Sequence, residues 1–395
     1  MMNRRNERQT GGKVFRRAFW PISAIVVLSL LAILSASAAA PASAQVATQD
    51  GLDVVHNGAK GQWDAAPKIT LTFLEMLGRE DDDNYLFFEP NAMAADREGN
   101  LYVLDSRNFR VQVFDRNRKF LRSFGRNGQG PGDIGRPESL DVDASGNVYV
   151  GDPGNGRIGV FDPTGRWLKA FPVPSTNIYL RVMRNGDILL LNPDLDGGRG
   201  LKKGSVPLFR ILDGATGKPK RELGQGVYYS KFPFVQGGNR SLMTKDADDN
   251  AYIAFLFQNR VSKYAPDGRH LFAADRILPK DKLIDKGLDM FSTINTALDV
   301  DAKGRLWVVT CTRLWKKGDL LRKQWINGQV QVIGDKTQTK TDIYEIQVFG
   351  PDGVLLQKIP LTHYCDFIKI VGDTLYVLDQ DRLGQFYVYR IGENA

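Results

Sequence analysis

The sequence predicts an all-β fold, a six-bladed β-propeller, because of an internal repeat and the turns that separate its strands. The repeat is clearest where Asn100-Leu-Tyr-Val-Leu-Asp105 is followed by Arg110-Val-Gln-Val-Phe-Asp115. A second copy reads Asn147-Val-Tyr-Val-Gly-Asp152, followed by Arg157-Ile-Gly-Val-Phe-Asp162. Short alternating strands that recur roughly every 40 to 50 residues are typical of propeller blades.

The first repeat predicts four strands in up-and-down order, which make one blade. We expect them at residues 91–95, 101–104, 110–114 and 120–124. The turn between the first two begins with Asp96 and has Gly99 near its end. Such an Asp can bond to the turn backbone, and the Gly accepts a positive φ. Markers of the second strand recur at Asn100, Asn147, Asp187, Asn250, Arg305 and Thr374.

The two ends of the repeat array predict how the ring closes. The last repeat ends after three strands, while the segment Lys68–Leu77 precedes the first repeat and has no blade of its own. If this N-terminal strand completes the last blade, the ring closes without open strand edges that invite aggregation.

The N-terminal residues 1–44 have the features of a secretory signal peptide. Basic residues precede an apolar run from Phe19 to Leu34, and Ala42-Ser43-Ala44 offers a small-x-small cleavage site. Two alternatives stay open: retention of the run as a membrane anchor, and export through the twin-arginine route at Arg16-Arg17. We interpret residues 45–67 as a lead-in linker and residues 68–395 as one propeller domain.

The charge of the chain resides mostly in this N-terminal segment. It holds six of the 53 basic residues and one of the 45 acidic ones, so its removal lowers the formal net charge from +8 to about +3. Nucleic-acid binding requires a clustered basic excess. The sequence therefore predicts no nucleic-acid partner and, after cleavage, no stable membrane span.

These repeats resemble those of NHL-repeat proteins. The resemblance rests on the Tyr-Val-x-Asp and Arg-Val-x-Val-Phe-Asp strands and on the stretch Gly125-Arg-Asn-Gly-Gln-Gly-Pro-Gly-Asp-Ile134. It is similar in particular to exported bacterial six-bladed propellers. The resemblance implies a fold and an exported location, periplasmic or extracellular, and no single activity.

Long insertions interrupt the repeat on one predicted face of the ring. The insertions at 224–240 and 311–342 are rich in aromatic and basic residues. Long loops on a rigid scaffold commonly carry binding groups, although these segments could instead pack as a lid over the ring. The predicted binding residues are Tyr228, Tyr229, Phe232, Arg240, Arg313, Trp315 and Trp325.

Oxygen-bearing residues near the starts of the first strands suggest a possible calcium site. The calcium-dependent lactonase propellers gather Glu, Asn and Asp side chains at this position, and calcium prefers six to eight oxygen ligands. By this resemblance the candidate ligands are Glu89, Asn239, Asn295 and Asp366. The alternative is that these residues only fit ordinary repeat spacing.

The few cysteines and histidines limit other chemistry. Cys311 ends the second strand of blade five and Cys365 starts blade six, so both are expected on one face, and we predict a disulfide between them. The three histidines, His56, His270 and His363, lie far apart in the repeat pattern. A histidine-bound zinc or a Ser-His-Asp triad is therefore not expected.

Taken together, the sequence predicts an exported, monomeric binding or scaffolding module without catalytic chemistry. Its partner would be a small molecule or a protein bound on the loop face around the central channel. The rival hypothesis is a calcium-dependent, lactonase-like hydrolase with its metal at the channel mouth.

Overall fold

A computed structural model describes residues 44–49, 52–192, 207–226, 239–278, 293–313, 322–326, 329–333, 340–380 and 384–394. The predicted signal peptide therefore lies outside the described residues except for Ala44. In the part of the chain that the structure describes, no helix has the length and apolar character needed to cross a bilayer.

Three strands precede the first blade: β1 (Gln45–Gln49), β2 (Leu52–Asn57) and β3 (Ile69–Leu77). Blade one contains β4 (Pro90–Ala95), β5 (Leu101–Asp105), β6 (Arg110–Phe114) and β7 (Phe120–Phe124). Blade two contains β8 (Ser139–Val142), β9 (Val148–Asp152), β10 (Arg157–Phe161) and β11 (Trp167–Pro172). Blade three contains β12 (Leu180–Val182), β13 (Ile188–Leu191), β14 (Pro207–Leu212) and β15 (Pro219–Gln225).

Blade four contains β16 (Ser241–Lys245), β17 (Ala251–Phe255), β18 (Val261–Tyr264) and β19 (His270–Arg276). Blade five begins with β20 (Asn295–Val300) and β21 (Leu306–Cys311). A separate hairpin of β22 (Arg322–Ile326) and β23 (Gln329–Ile333) precedes its outer strands, β24 (Lys340–Phe349) and β25 (Leu355–His363). Blade six contains β26 (Phe367–Val371), β27 (Thr374–Asp379) and β28 (Gln385–Glu393).

The described strands form a six-bladed β-propeller, as predicted. Six buried apolar clusters each join two consecutive blades, including one between blade six and blade one. The predicted ring closure is also confirmed, because β3 pairs antiparallel with β28 and completes blade six. Burial between blades, rather than within any one of them, therefore holds the ring together.

The repeated aspartates act as the sequence indicated, by satisfying turn and loop backbones. Asp96 Oδ1 accepts the N–H groups of Glu98 at 3.0 Å and Asn100 at 2.8 Å. Its Gly99 has a φ of +83°. At the end of the second strand, Asp105 accepts the N–H of Phe88 at 2.6 Å, which fixes the segment leading into the first strand. These residues serve the scaffold.

Residues 45–67 are more ordered than a linker implies. Strand β2 pairs parallel with β19, and β1 pairs with β2, so the sheet of blade four has six strands in the described residues. The chain then crosses blade five, where the backbone N–H of Trp63 donates to Leu356 O at 2.7 Å. The pairing depends on contacts distant in sequence, including burial of Val55, and local periodicity does not encode these contacts.

Candidate functional site at the channel mouth

A cavity of about 230 Å³ lies at the end of the central channel where the first strands begin. All six blades contribute side chains to it, because the innermost strand of every blade borders the channel. The contributing residues, one from each of blades one to six, include Asn91, Glu138, Arg181, Ser241, Thr296 and Asp366. The position is typical of ligand sites on ring-shaped scaffolds, where loops and strand ends converge.

Three polar side chains form one layer of the cavity wall. Asn91, Ser241 and Thr296 each stand five positions before a first-turn aspartate, namely Asp96, Asp246 and Asp301, and Glu138 has the same position relative to Asp143. Asn91 Oδ1, Ser241 Oγ and Thr296 Oγ1 are buried atoms without a hydrogen-bond partner among the described residues. The amide Nδ2 of Asn91 donates to Pro137 O at 3.1 Å, so its Oδ1 is left as an acceptor. The layer therefore offers one fixed acceptor and two hydroxyls.

Arg181 supplies positive charge to the same cavity. It lies on β12, and its Nη1 donates to the carbonyl oxygen of Leu180 at 2.8 Å. Within the described residues Arg181 forms no ion pair. A guanidinium has five N–H donors in a fixed planar arrangement. Arg181 thus retains donors for a ligand, and Arg240 lines the cavity close by.

Two carboxylates line the same cavity. Glu138 Oε2 accepts the N–H of Ile178 at 3.2 Å, and its Oε1 lies 3.5 Å from a guanidinium nitrogen of Arg136. Asp366 Oδ2 accepts the N–H of Gln380 at 2.8 Å. Both groups are therefore held in fixed positions at the cavity edge.

The predicted calcium ligands are not assembled for a metal ion. Glu89 pairs with Arg107, whose Nε lies 2.8 Å from Glu89 Oε2, and Glu89 does not line the cavity. Asn295 Oδ1 accepts from Arg276 at 2.5 Å. Asn239 is buried at 4% exposure, and of the four only Asp366 reaches the channel. Within the described residues no group of three or more His, Cys, Asp or Glu is arranged to hold a metal ion, and the calcium site stays a prediction.

The predicted binding residues have mixed outcomes. Tyr228, Tyr229, Phe232 and Trp315 lie outside the described residues, and for Trp325 only the backbone, in β22, is described. Arg240 lines the channel cavity. Arg313 is instead directed to Asp342, with Nε 2.9 Å from its carboxylate, and does not line that cavity.

Sequence reasoning missed the residues that carry the polar layer. Asn91, Ser241 and Thr296 differ in type, so a search for one conserved-looking residue does not find them. Their constant distance from the turn aspartate was the available signal. Arg181 had no such signal, because its exposure to the channel depends on the ring.

The predicted disulfide is not formed. Cys311 and Cys365 are both buried thiols, and both pack in the apolar cluster between blades five and six. The Cys365 thiol instead points to the carbonyl oxygen of Phe367 at 3.6 Å. Burial raises the pKa of the Cys365 thiol well above its usual value, and nearby Asp366 adds to this effect. Both cysteines therefore lie at the junction of blades five and six, but no disulfide joins them in the structure.

The histidines lie away from the channel. His56 Nδ1 lies 2.9 Å from Asp275 Oδ2, and His270 stacks on Tyr264. Both line a groove of about 890 Å³ at the outer edge of blade four. His363 stacks on Tyr387 in blade six.

The fold and the site define a six-bladed propeller with a polar cavity at one channel mouth, and comparisons with known proteins agree with the fold. A family model for the SMP-30/gluconolactonase/LRE-like region matches residues 83–183. No curated protein matches the chain.

Several solved structures share the architecture. One from Bacteroides fragilis NCTC 9343, named as an exported protein, has 12% identity and a TM-score of 0.55, covering 87% of this chain and 100% of its own. A DUF4221 family member from Bacteroides vulgatus ATCC 8482 has 12% identity and a TM-score of 0.56, covering 83% and 99%. A gluconolactonase from Xanthomonas campestris has 14% identity and a TM-score of 0.45, covering 77% and 86%. At 12% identity the likeness to the two Bacteroides structures is one of fold alone.

Proposed function

We propose that this protein is an exported, NHL-like propeller that binds a small polar molecule in the mouth of its central channel, without catalytic chemistry of its own. The observation that carries this proposal is the layer of buried polar atoms at Asn91, Ser241 and Thr296. A ligand in the cavity would satisfy them.

The energetics favour an occupant. A buried polar atom without a partner costs about 1 to 3 kcal/mol, and native proteins contain few of them. Three such atoms in one cavity give a polar ligand hydrogen-bonding groups that it can take over from water. Because typical sites for drug-sized ligands measure about 300 to 1,000 Å³, a cavity of about 230 Å³ suits a small metabolite.

Export is supported by two independent features. The first 44 residues have the composition of a signal peptide. A solved structure of the same architecture is named as an exported protein. The proposal is therefore a binding module that acts in the periplasm or outside the cell.

The proposal is tested with the mature chain, residues 45–395, in a thermal-shift screen against amino acids, sugars, organic acids and amines. We expect at least one class to raise the melting temperature of the wild type and not of Arg181→Met. Arg269→Met is the matched control, because Arg269 is exposed and pairs with Asp267 far from the channel. If no class stabilises the wild type, or if Arg181→Met responds equally, the proposed site is wrong.

A calcium-dependent hydrolase is the second candidate, because the matching family model includes gluconolactonases. The ion pair of Glu89 with Arg107 and the bond of Asn295 to Arg276 count against it. Elemental analysis of the purified protein, together with melting curves with and without EDTA, separates the candidates. Stoichiometric calcium and a fall in melting temperature with EDTA would support the hydrolase.

A further inference from the structure

The polar groups of the channel mouth are divided into two halves. Asp366, Asn91 and Glu138 come from blades six, one and two, which are consecutive around the ring. Asp366 and Glu138 carry negative charge, and Asn91 presents a fixed acceptor. This half of the wall, which we call the acceptor half, favours a group that donates hydrogen bonds and carries positive charge.

The other half of the wall has the opposite character. Arg181 belongs to blade three, Arg240 and Ser241 to blade four, and Thr296 to blade five, again consecutive around the ring. Arg181 forms no ion pair within the described residues, and Ser241 and Thr296 keep hydroxyls without partners there. This donor half favours a group that accepts hydrogen bonds and carries negative charge, and a carboxylate matches the planar guanidinium.

The two halves face each other across a cavity of only about 230 Å³. One small molecule can therefore contact both. A simple anion would satisfy the donor half and meet repulsion from Glu138 and Asp366. A simple amine would bind the acceptor half and be repelled by the positive charge of Arg181. Placing like charges together is a common way in which a site rejects wrong ligands.

We propose that the ligand is a small zwitterion, a free α-amino acid or a molecule with the same pair of ammonium and carboxylate groups. This inference rests on the proposed function of the channel mouth. The carboxylate binds Arg181 with support from Ser241 and Thr296. The ammonium binds Asn91 Oδ1 between the carboxylates of Glu138 and Asp366.

The remaining wall accommodates a side chain. Leu242, Met243 and Leu256 line the cavity beside the donor half, and Tyr179, whose exposure is 41%, lies at its edge. Apolar and aromatic surface of this kind binds an apolar side chain through burial. We therefore expect amino acids with medium-sized apolar side chains to bind more tightly than glycine.

The test is isothermal titration calorimetry on the mature chain with a panel of amino acids and matched derivatives. For each amino acid, the N-acetyl form lacks the ammonium and the amide lacks the carboxylate. Because a hydrogen bond to a charged group contributes about 1.5 to 3 kcal/mol, each derivative should bind roughly 10- to 100-fold more weakly. Arg181→Gln should weaken binding of the amino acid by a similar factor and leave the affinity for its amide nearly unchanged.

Two further variants keep the test decisive. Arg181→Lys preserves the charge and should recover part of the affinity, which a folding defect would not allow. Asn91→Ala should weaken binding of the amino acid more than binding of its N-acetyl form, because only the free amino acid has the ammonium group. Arg269→Met is the control that should bind like the wild type.

The possible failures are distinguishable. Arg181-dependent binding of a sugar, a plain carboxylate or an amine, with no preference for the zwitterion, would overturn this inference and leave the proposed function intact. If no compound of this panel binds, the zwitterion inference is wrong; if no compound of the thermal-shift screen binds either, the proposed function is wrong as well. Equal binding of an amino acid and its two derivatives would also overturn the inference.

Discussion

Arg276 and Asn295 are joined by a buried hydrogen bond of 2.5 Å that crosses from blade four to blade five. The same guanidinium donates to Gln347 Oε1 at 2.6 Å and to Thr310 Oγ1 at 2.9 Å, and Arg276 is only 2% exposed. An amide oxygen that already accepts from a cation is poorly placed to coordinate a second one. The bond thus stabilises the junction between blades four and five and occupies the oxygen of Asn295 that a metal would need.

Replacing Arg276 with Met should lower the free energy of unfolding by about 3 kcal/mol, since buried Gln347 Oε1 loses the guanidinium donor and Asn295 Oδ1 keeps only the longer bond from Thr310 Oγ1 at 3.3 Å. Chemical denaturation measures the change. Arg269→Met, at an exposed ion pair, should change stability by less than about 0.5 kcal/mol. Similar small effects of the two substitutions would contradict this interpretation of the buried network.

Asn57 connects the N-terminal strands to blade five. Its Oδ1 accepts the N–H of Leu355 at 2.7 Å, and its Nδ2 donates to Gly353 O at 3.0 Å. Asn57→Ala should therefore lower the free energy of unfolding by about 2 kcal/mol, because a buried N–H and a buried carbonyl lose their partner. Thr48→Ala is the control, since the bond of Thr48 to Asp53 is exposed. A variant as stable as the control would show that residues 45–57 add little to the ring.

His270 should make stability depend on pH. Burial, with a smaller contribution from Arg260, lowers its pKa from 6.5 to about 4. Between these values the unfolded chain binds more protons, so stability is full above pH 6.5 and is lost as the pH falls toward 4. The unfolding free energy should be smaller at pH 5 than at pH 7, by about 1 kcal/mol once solvent screening of the partly exposed imidazole is allowed for.

The matched variant for this prediction is His270→Phe, which keeps an aromatic ring against Tyr264 and removes the titration. Its unfolding free energy, measured by denaturation at pH 5 and pH 7, should differ less between the two pH values than that of the wild type. An unchanged difference would assign the pH dependence to other groups.

Cys311 and Cys365 should react slowly with thiol reagents in the native protein, because both are buried and the pKa of Cys365 is raised by burial. After denaturation without reductant, two thiols should be titrated. Finding none would instead support the disulfide that the sequence suggested.

Much of the scaffold could be predicted from the sequence because its information is local. The turn beginning at Asp96 and the strand that ends at Asp105 recur, and hairpin chemistry is set by neighbouring residues. The pairing of β2 with β19 could not be predicted in this way, since it joins residues more than 200 positions apart. A short strand such as β2, which has no clear alternation of apolar and polar residues, pairs with another strand only when the folded ring places that strand beside it.

The candidate site was predicted only in part. Arg240, predicted as a binding residue, lines the channel cavity, whereas Asn295 and Glu89, predicted as metal ligands, each contact an arginine. Sequence spacing places residues near one another but does not say which partner each side chain takes. That choice depends on groups from other blades.

The internal repeat by itself determined the six-bladed architecture and its closure by an N-terminal strand, because strand period and turn residues are properties of the local chain. Only the tertiary structure decided that Asp366, Asn91 and Glu138 face Arg181, Ser241 and Thr296 across one cavity. The physical reason is that these residues belong to six different repeats. Closure of the ring alone brings their charges within reach of one small molecule.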